Sequence, residues 1–134
     1  MKKNSLNIST SSKKDLYSYW VEFMYPIHKL SPINRSVLSA YLYNLDKIKK
    51  SVNDDFILKI LTNEKTFISS IASDCDLSFH RVQVSIIDMY KKSIFLREKS
   101  PEKKNKYLYT IKKSLIPKID NEGITINIKL VYNG

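Results

Sequence analysis

Residues 71–95 read I-A-S-D-C-D-L-S-F-H-R-V-Q-V-S-I-I-D-M-Y-K-K-S-I-F, and their spacing decides the fold. Ile71 and Ala72 fall on the inner face of one helix, and Cys75 follows Ile71 by one turn, a place for a small core side chain. Asp76 takes a turn and Leu77 plugs its corner. Ser78 suits an N-cap, because its hydroxyl can accept from the free amides of the next helix's first turn. Val82, Ile86 and Met89 recur at i, i+4 and i+7, which is one buried stripe of a second helix over residues 79–92. Ser93-Ile94-Phe95 ends that helix and starts a strand. Two helices joined by a short turn, with the second presented outward, have the geometry that places a helix in a DNA major groove.

Working outward, residues 94–98 read as a strand and K-Y-L-Y-T-I (106–111) as its returning partner, across the polar turn Ser-Pro-Glu-Lys-Lys-Asn (100–105). Residues 64–75 form the helix before the turn, with Phe67 and Ile68 also inward. Ser31-Pro32 is a strong helix start, a capping hydroxyl followed by proline at the first helical position. Ile33, Val37, Tyr41, Leu45 and Ile48 then mark the inner face of a long core helix. Between the two, Phe56, Ile57, Ile60 and Leu61 suggest a short helix started by Asp54 or Asp55.

The ends are less patterned. Residues 1–14 are polar, with Leu6 and Ile8 as a possible short strand. Asp15 can cap a helix over residues 15–25 whose face is Leu16, Trp20, Phe23 and Ile27, and Pro26 must end or kink it. Ile124, Ile126, Ile128 and Leu130 alternate with polar residues over 124–131, as in a half-buried strand that extends the sheet or pairs with another chain. The expected organisation is therefore an N-terminal segment (1–14), an aromatic helix and connection (15–30), a main domain (31–118) and a C-terminal strand extension (119–134).

At 134 residues the chain has the length of one domain with a real core. No apolar run approaches the ~18–20 residues of a membrane span. The start, M-K-K-N-S-L-N-I-S-T-S-S, lacks the apolar region of a secretory signal, and a single cysteine suits a reducing cytoplasm. The net charge of +10 implies an anionic partner. Its placement says more than its size: residues 91–118 hold ten basic side chains against Glu98 and Glu102, a local net of +8 directly after the second helix. With only Gly123 and Gly134 there is no phosphate-cradling glycine loop, and no nucleophile–base pair or acidic cluster stands out. His28, His80 and Cys75 are too scattered for a zinc site. The chain reads as a non-enzyme without a cofactor.

The stretch 64–111 resembles the winged helix-turn-helix proteins of bacteria and their phages. The shared pattern is I-A-x-x-φ-x-φ-S-x-x-x-V-x-x-x-φ (φ apolar), filled here by Ile71, Ala72, Cys75, Leu77, Ser78, Val82 and Ile86, then a helix end and a basic hairpin. A narrower likeness to small proteins of tailed phages, crAss-like phages among them, rests on Ile116-Pro117 after the hairpin and on the final I-T-I-N-I-K. Asp76 and Ser93 stand at two turn positions where the family often has glycine. The resemblance implies an α+β fold, a three-helix core with a β-hairpin wing, extended here by the N-terminal helix and the C-terminal strand.

It also implies double-stranded DNA as partner and a small regulator of transcription or replication. With Val82, Ile86 and Met89 inward, His80, Val84, Ile87 and Lys91 point outward, and Arg81, Gln83 and Asp88 lie on the flanks. Arg81 could fork to guanine, Gln83 to adenine, and Val84 could touch a thymine methyl. Ser78 at the helix start completes that surface. Lys91, Lys92, Lys99, Lys103, Lys104 and Lys106 would hold phosphates, which fix register without specifying sequence. Against this, Val84 and Ile87 are apolar, as in a protein-docking surface, and Asp88 would repel phosphate if it faced DNA. The alternative is an interaction module, such as a phage assembly or polymerase-docking component. A homodimer through the 15–25 helix or the 124–131 strand fits either reading.

Overall fold

The computed structural model describes residues 12–120 together with 123 and 124. They form an α+β arrangement of six helices and two separate two-stranded antiparallel ladders. The helices are α1 (Lys13–Phe23), α2 (Tyr25–His28), α3 (Pro32–Lys49), α4 (Asp55–Leu61), α5 (Lys65–Cys75) and α6 (Phe79–Lys91). The strands are β1 (Phe95–Lys99), β2 (Tyr107–Ile111), β3 (Ile119–Asp120) and β4 (Gly123–Ile124).

Helix α3 is the centre, and α1, α5 and α6 all pack against it. Ser31 caps it by accepting from the Asn34 amide, as its Ser-Pro start implies. Val37, Tyr41 and Leu45 are buried as expected. The Tyr41 ring meets Phe67 of α5 and Phe95 of β1 edge-on, with centroids 5.1 and 4.9 Å apart, the favoured geometry for aromatic pairs. Burial pushes the Tyr41 hydroxyl up to about 12, so it stays protonated. Ile33, expected inside, is exposed; its neighbour Asn34 is buried instead.

The turns on either side of α6 share one construction. After α5, the Leu77 amide reaches back to the Ala72 carbonyl with Asp76 left-handed at φ 53°. After α6, the Ile94 amide reaches the Met89 carbonyl with Ser93 left-handed at φ 65°. This is the Schellman closure, which glycine fills most easily. The departures from glycine at Asp76 and Ser93 thus leave the turn geometry intact. Both turns end on a residue packed into the core, Leu77 and Ile94.

Strands β1 and β2 pair from Phe95↔Ile111 to Lys99↔Tyr107. The Ser100 amide donates to the Lys106 carbonyl and closes the loop. The outer edge of β2 is partnered by a side chain: Asn63 accepts from the Tyr109 amide at 2.8 Å and donates to the Tyr109 carbonyl at 3.0 Å. One amide side chain thereby does the hydrogen bonding of one strand residue and fixes the hairpin to the α4–α5 connection.

Several expectations are corrected at the periphery. Helix α1 starts two residues earlier than expected and is capped by Ser12, with Asp15 in its first turn. Its inner face is Tyr17 and Val21, with Trp20 and Phe23 only half-buried and Ile27 72% exposed. The reason is the break at Met24: Ile27 belongs to α2, so it no longer shares the phase of α1. His28 stabilises that break. Its Nδ1 accepts from the Leu30 amide at 2.9 Å, which leaves Nε2 to donate to the Val21 carbonyl at 2.8 Å. In α4, Leu58 is the buried residue, while Phe56 and Ile57 are exposed.

The Trp20 indole donates to the Leu115 carbonyl at 3.0 Å and ties α1 to the segment after the hairpin. Gly123 and Ile124 pair with Asp120 and Ile119, not with β1 or β2. The rest of the strand expected over 124–131, and the one at Leu6 and Ile8, lie outside the described residues. Among the described residues no helix is long and apolar enough to cross a membrane.

Candidate nucleic-acid interface

Helix α6 is amphipathic, and its buried side holds Val82, Ser85, Ile86 and Met89. Ser78 caps it by accepting from the Arg81 amide at 3.1 Å, so that hydroxyl is engaged within the chain. The other side exposes His80, Arg81, Gln83, Val84, Ile87 and Lys91. Val84 and Ile87 are each 38% exposed, one turn apart on this face.

Asp88 is the one acidic residue of α6. Its carboxylate accepts from Asn34 Nδ2 at 2.6 Å and from Lys92 Nζ at 3.1 Å. Asn34 in turn accepts from the Ser85 hydroxyl at 2.6 Å, so α3 and α6 are joined by a polar relay that is buried at Ser85 and Asn34 and reaches the surface at Asp88. The Asn34 hydrogen bond, helped by Lys92, holds the Asp88 carboxyl below the usual carboxylate range. The repulsion that Asp88 threatened in sequence is therefore met by two donors. The same pairing engages Lys92, one of the expected phosphate contacts.

Lys99 ends β1, and Lys103, Lys104 and Lys106 lie exposed in the hairpin loop. The hairpin, α6, α3, α5 and the α4–α5 connection line a groove of about 280 Å³, to which α6 contributes His80, Gln83, Val84 and Ile87 and the hairpin Lys106 and Tyr107. Five of the expected residues thus meet in one place. Arg81, Lys91, Lys99, Lys103 and Lys104 stand outside the groove lining.

In the sequence Arg97 stands out only as charge. Its guanidinium lies 4.4 Å from the ring centre of Tyr90 and 4.3 Å from that of Tyr107. A hydrogen bond with Tyr109 raises its pKa above the ordinary arginine value. Tyr90 and Tyr109 also meet edge-on at 6.0 Å. This cluster braces the hairpin against the end of α6. Strand alternation could have placed Arg97 with Tyr107 and Tyr109, since the pairing of Arg97 with Tyr109 sets them on one face. Tyr90, on the helix, carries no such signal.

Among the described residues no group of three or more His, Cys, Asp or Glu side chains could hold a metal ion. Cys75 is partly buried against the core with its thiol near the Ser36 carbonyl, and burial raises its pKa. Comparison of the chain with protein-family models, with curated proteins and with solved structures gives no match.

Proposed function

We propose that the chain is a winged helix-turn-helix protein that binds double-stranded DNA with sequence preference, as a small regulator of transcription or replication. Helix α6 would enter the major groove. The basic loop of the β1–β2 hairpin, residues 99–106, would act as the wing against the backbone or minor groove. The observation that carries this reading is the pairing of two surfaces. One is the exposed side of α6, which offers Arg81 and Gln83 while its single acid is taken up by Asn34 and Lys92. The other is the lysine-rich hairpin loop beside it.

Arg81 is the residue with most to say about sequence. Arg81→Ala is expected to remove about 1–3 kcal/mol of discrimination at one base pair. Selection of preferred sites from random duplexes, run in parallel for the two proteins, checks this. Unchanged base preference at every position would contradict the placement of α6 in the groove.

The exposed Val84 and Ile87 favour a second reading, a winged-helix module that docks another protein through α6. The two diverge on whether the purified chain binds DNA at all.

A further inference from the structure

The outward apolar pair of α6 is the feature that major-groove reading uses least. Val84 and Ile87 do not face open solvent alone: they form one wall of the groove, and Tyr107 stands in the hairpin's contribution to it. We propose that this groove takes one unpaired nucleobase, so that the protein prefers DNA carrying an unpaired nucleotide over a fully paired duplex. The proposal rests on the DNA-binding reading and names the part of the nucleic acid that the groove holds.

Four observations support it. Apolar side chains and an aromatic ring suit the flat face of a base, and neither suits a phosphate. In a duplex those faces are stacked on their neighbours, so only an unpaired base can offer one. Next, Arg97 covers the Tyr107 ring at 4.3 Å without lining the groove, so the ring is held in place before anything binds. A pre-set ring costs little further ordering on binding.

The polar groups fit the same occupant. Gln83 carries a donor and an acceptor for a base edge, and Lys106 carries a charge for the adjoining phosphate. Among the described residues no carboxylate lines this groove, whereas Asp15, Glu22 and Asp74 line the crevice beside α1 and Asp55 lines the one beside α4. Finally, a volume of about 280 Å³, against about 30 Å³ for each molecule of liquid water, has room for a planar ring system.

The test compares three labelled DNAs of one sequence by fluorescence anisotropy in a single buffer: a paired duplex, the duplex with a one-thymine bulge, and the duplex with an abasic bulge. The thymine bulge is expected to bind about tenfold more tightly than the paired duplex, the scale of one base–aromatic stack. The abasic bulge, equally bent but without a ring, is expected to bind like the duplex. Tyr107→Ala should bring all three to equal affinity, and Tyr107→Phe should keep the preference, with thermal melting confirming that both variants fold. Equal affinity of the unaltered protein for all three DNAs would overturn the base-pocket proposal and leave duplex binding standing. Binding to none of them would overturn the DNA reading, and this proposal with it.

Discussion

Phe95→Ala is expected to lower the unfolding free energy by about 3–5 kcal/mol, the range for truncating a buried phenylalanine. Phe95 is 1% exposed and is the first residue of β1. Its ring meets Tyr41 on the central helix, and Tyr41 also meets Phe67 of α5. The truncation therefore opens a cavity at the point where α3, α5 and the hairpin converge. Urea denaturation, followed by circular dichroism, measures the loss as a lower midpoint. A loss below about 1 kcal/mol would mean that the hairpin is not anchored through this aromatic cluster.

The second large effect is electrostatic. Lys103 and Lys104 are exposed in the hairpin loop, and no ion pair involving either is seen among the described residues. On the proposed reading both neutralise phosphates. Replacing the two by alanine should flatten the slope of log K against log salt by about 2 and weaken duplex binding roughly 60-fold at 0.1 M salt, because each phosphate contact contributes about 0.9 to the slope. The loss should be equal for all sequences, since phosphate contacts carry no sequence information. Salt titrations of the double variant beside the unaltered protein give both numbers. An unchanged slope would place the wing away from the DNA.

Much of the helical frame is legible in the sequence. Ser31-Pro32 and Ser78 announce helix starts through capping chemistry, which acts over four residues and needs no tertiary context. The stripe Val82, Ile86, Met89 was legible for the same reason: a single helix packed on one side leaves a single period.

The misread positions share a different cause. Asn34 lies inside because Ser85 and Asp88 satisfy its amide, and both partners are more than fifty residues away. Ile33 gives way to it at the edge of the core. The seven residues of α4, D-F-I-L-K-I-L, are apolar nearly all round, so no period could single out Leu58 over Phe56 and Ile57. Asn63 acts as a strand residue without belonging to a strand, a role that alternation cannot reveal.

At the candidate interface, helical spacing found the exposed residues of α6 and composition found the lysines of the loop. It could not find that the hairpin folds back beside Val84 and Ile87, because that depends on the turn at Ser93 and on the packing of Arg97 against Tyr90. An apolar pair that looked like a protein-docking patch in one dimension is the wall of a groove in three.

The most direct test of the DNA reading is the affinity of the purified protein for a mixed-sequence duplex across a salt series. Micromolar or tighter binding at low salt, with log K falling at a slope of about −4 to −7, is the expected result and corresponds to roughly five to eight phosphate contacts. No binding at low salt, in a chain of net charge +10, would contradict it and leave protein docking through α6 as the better account of this surface.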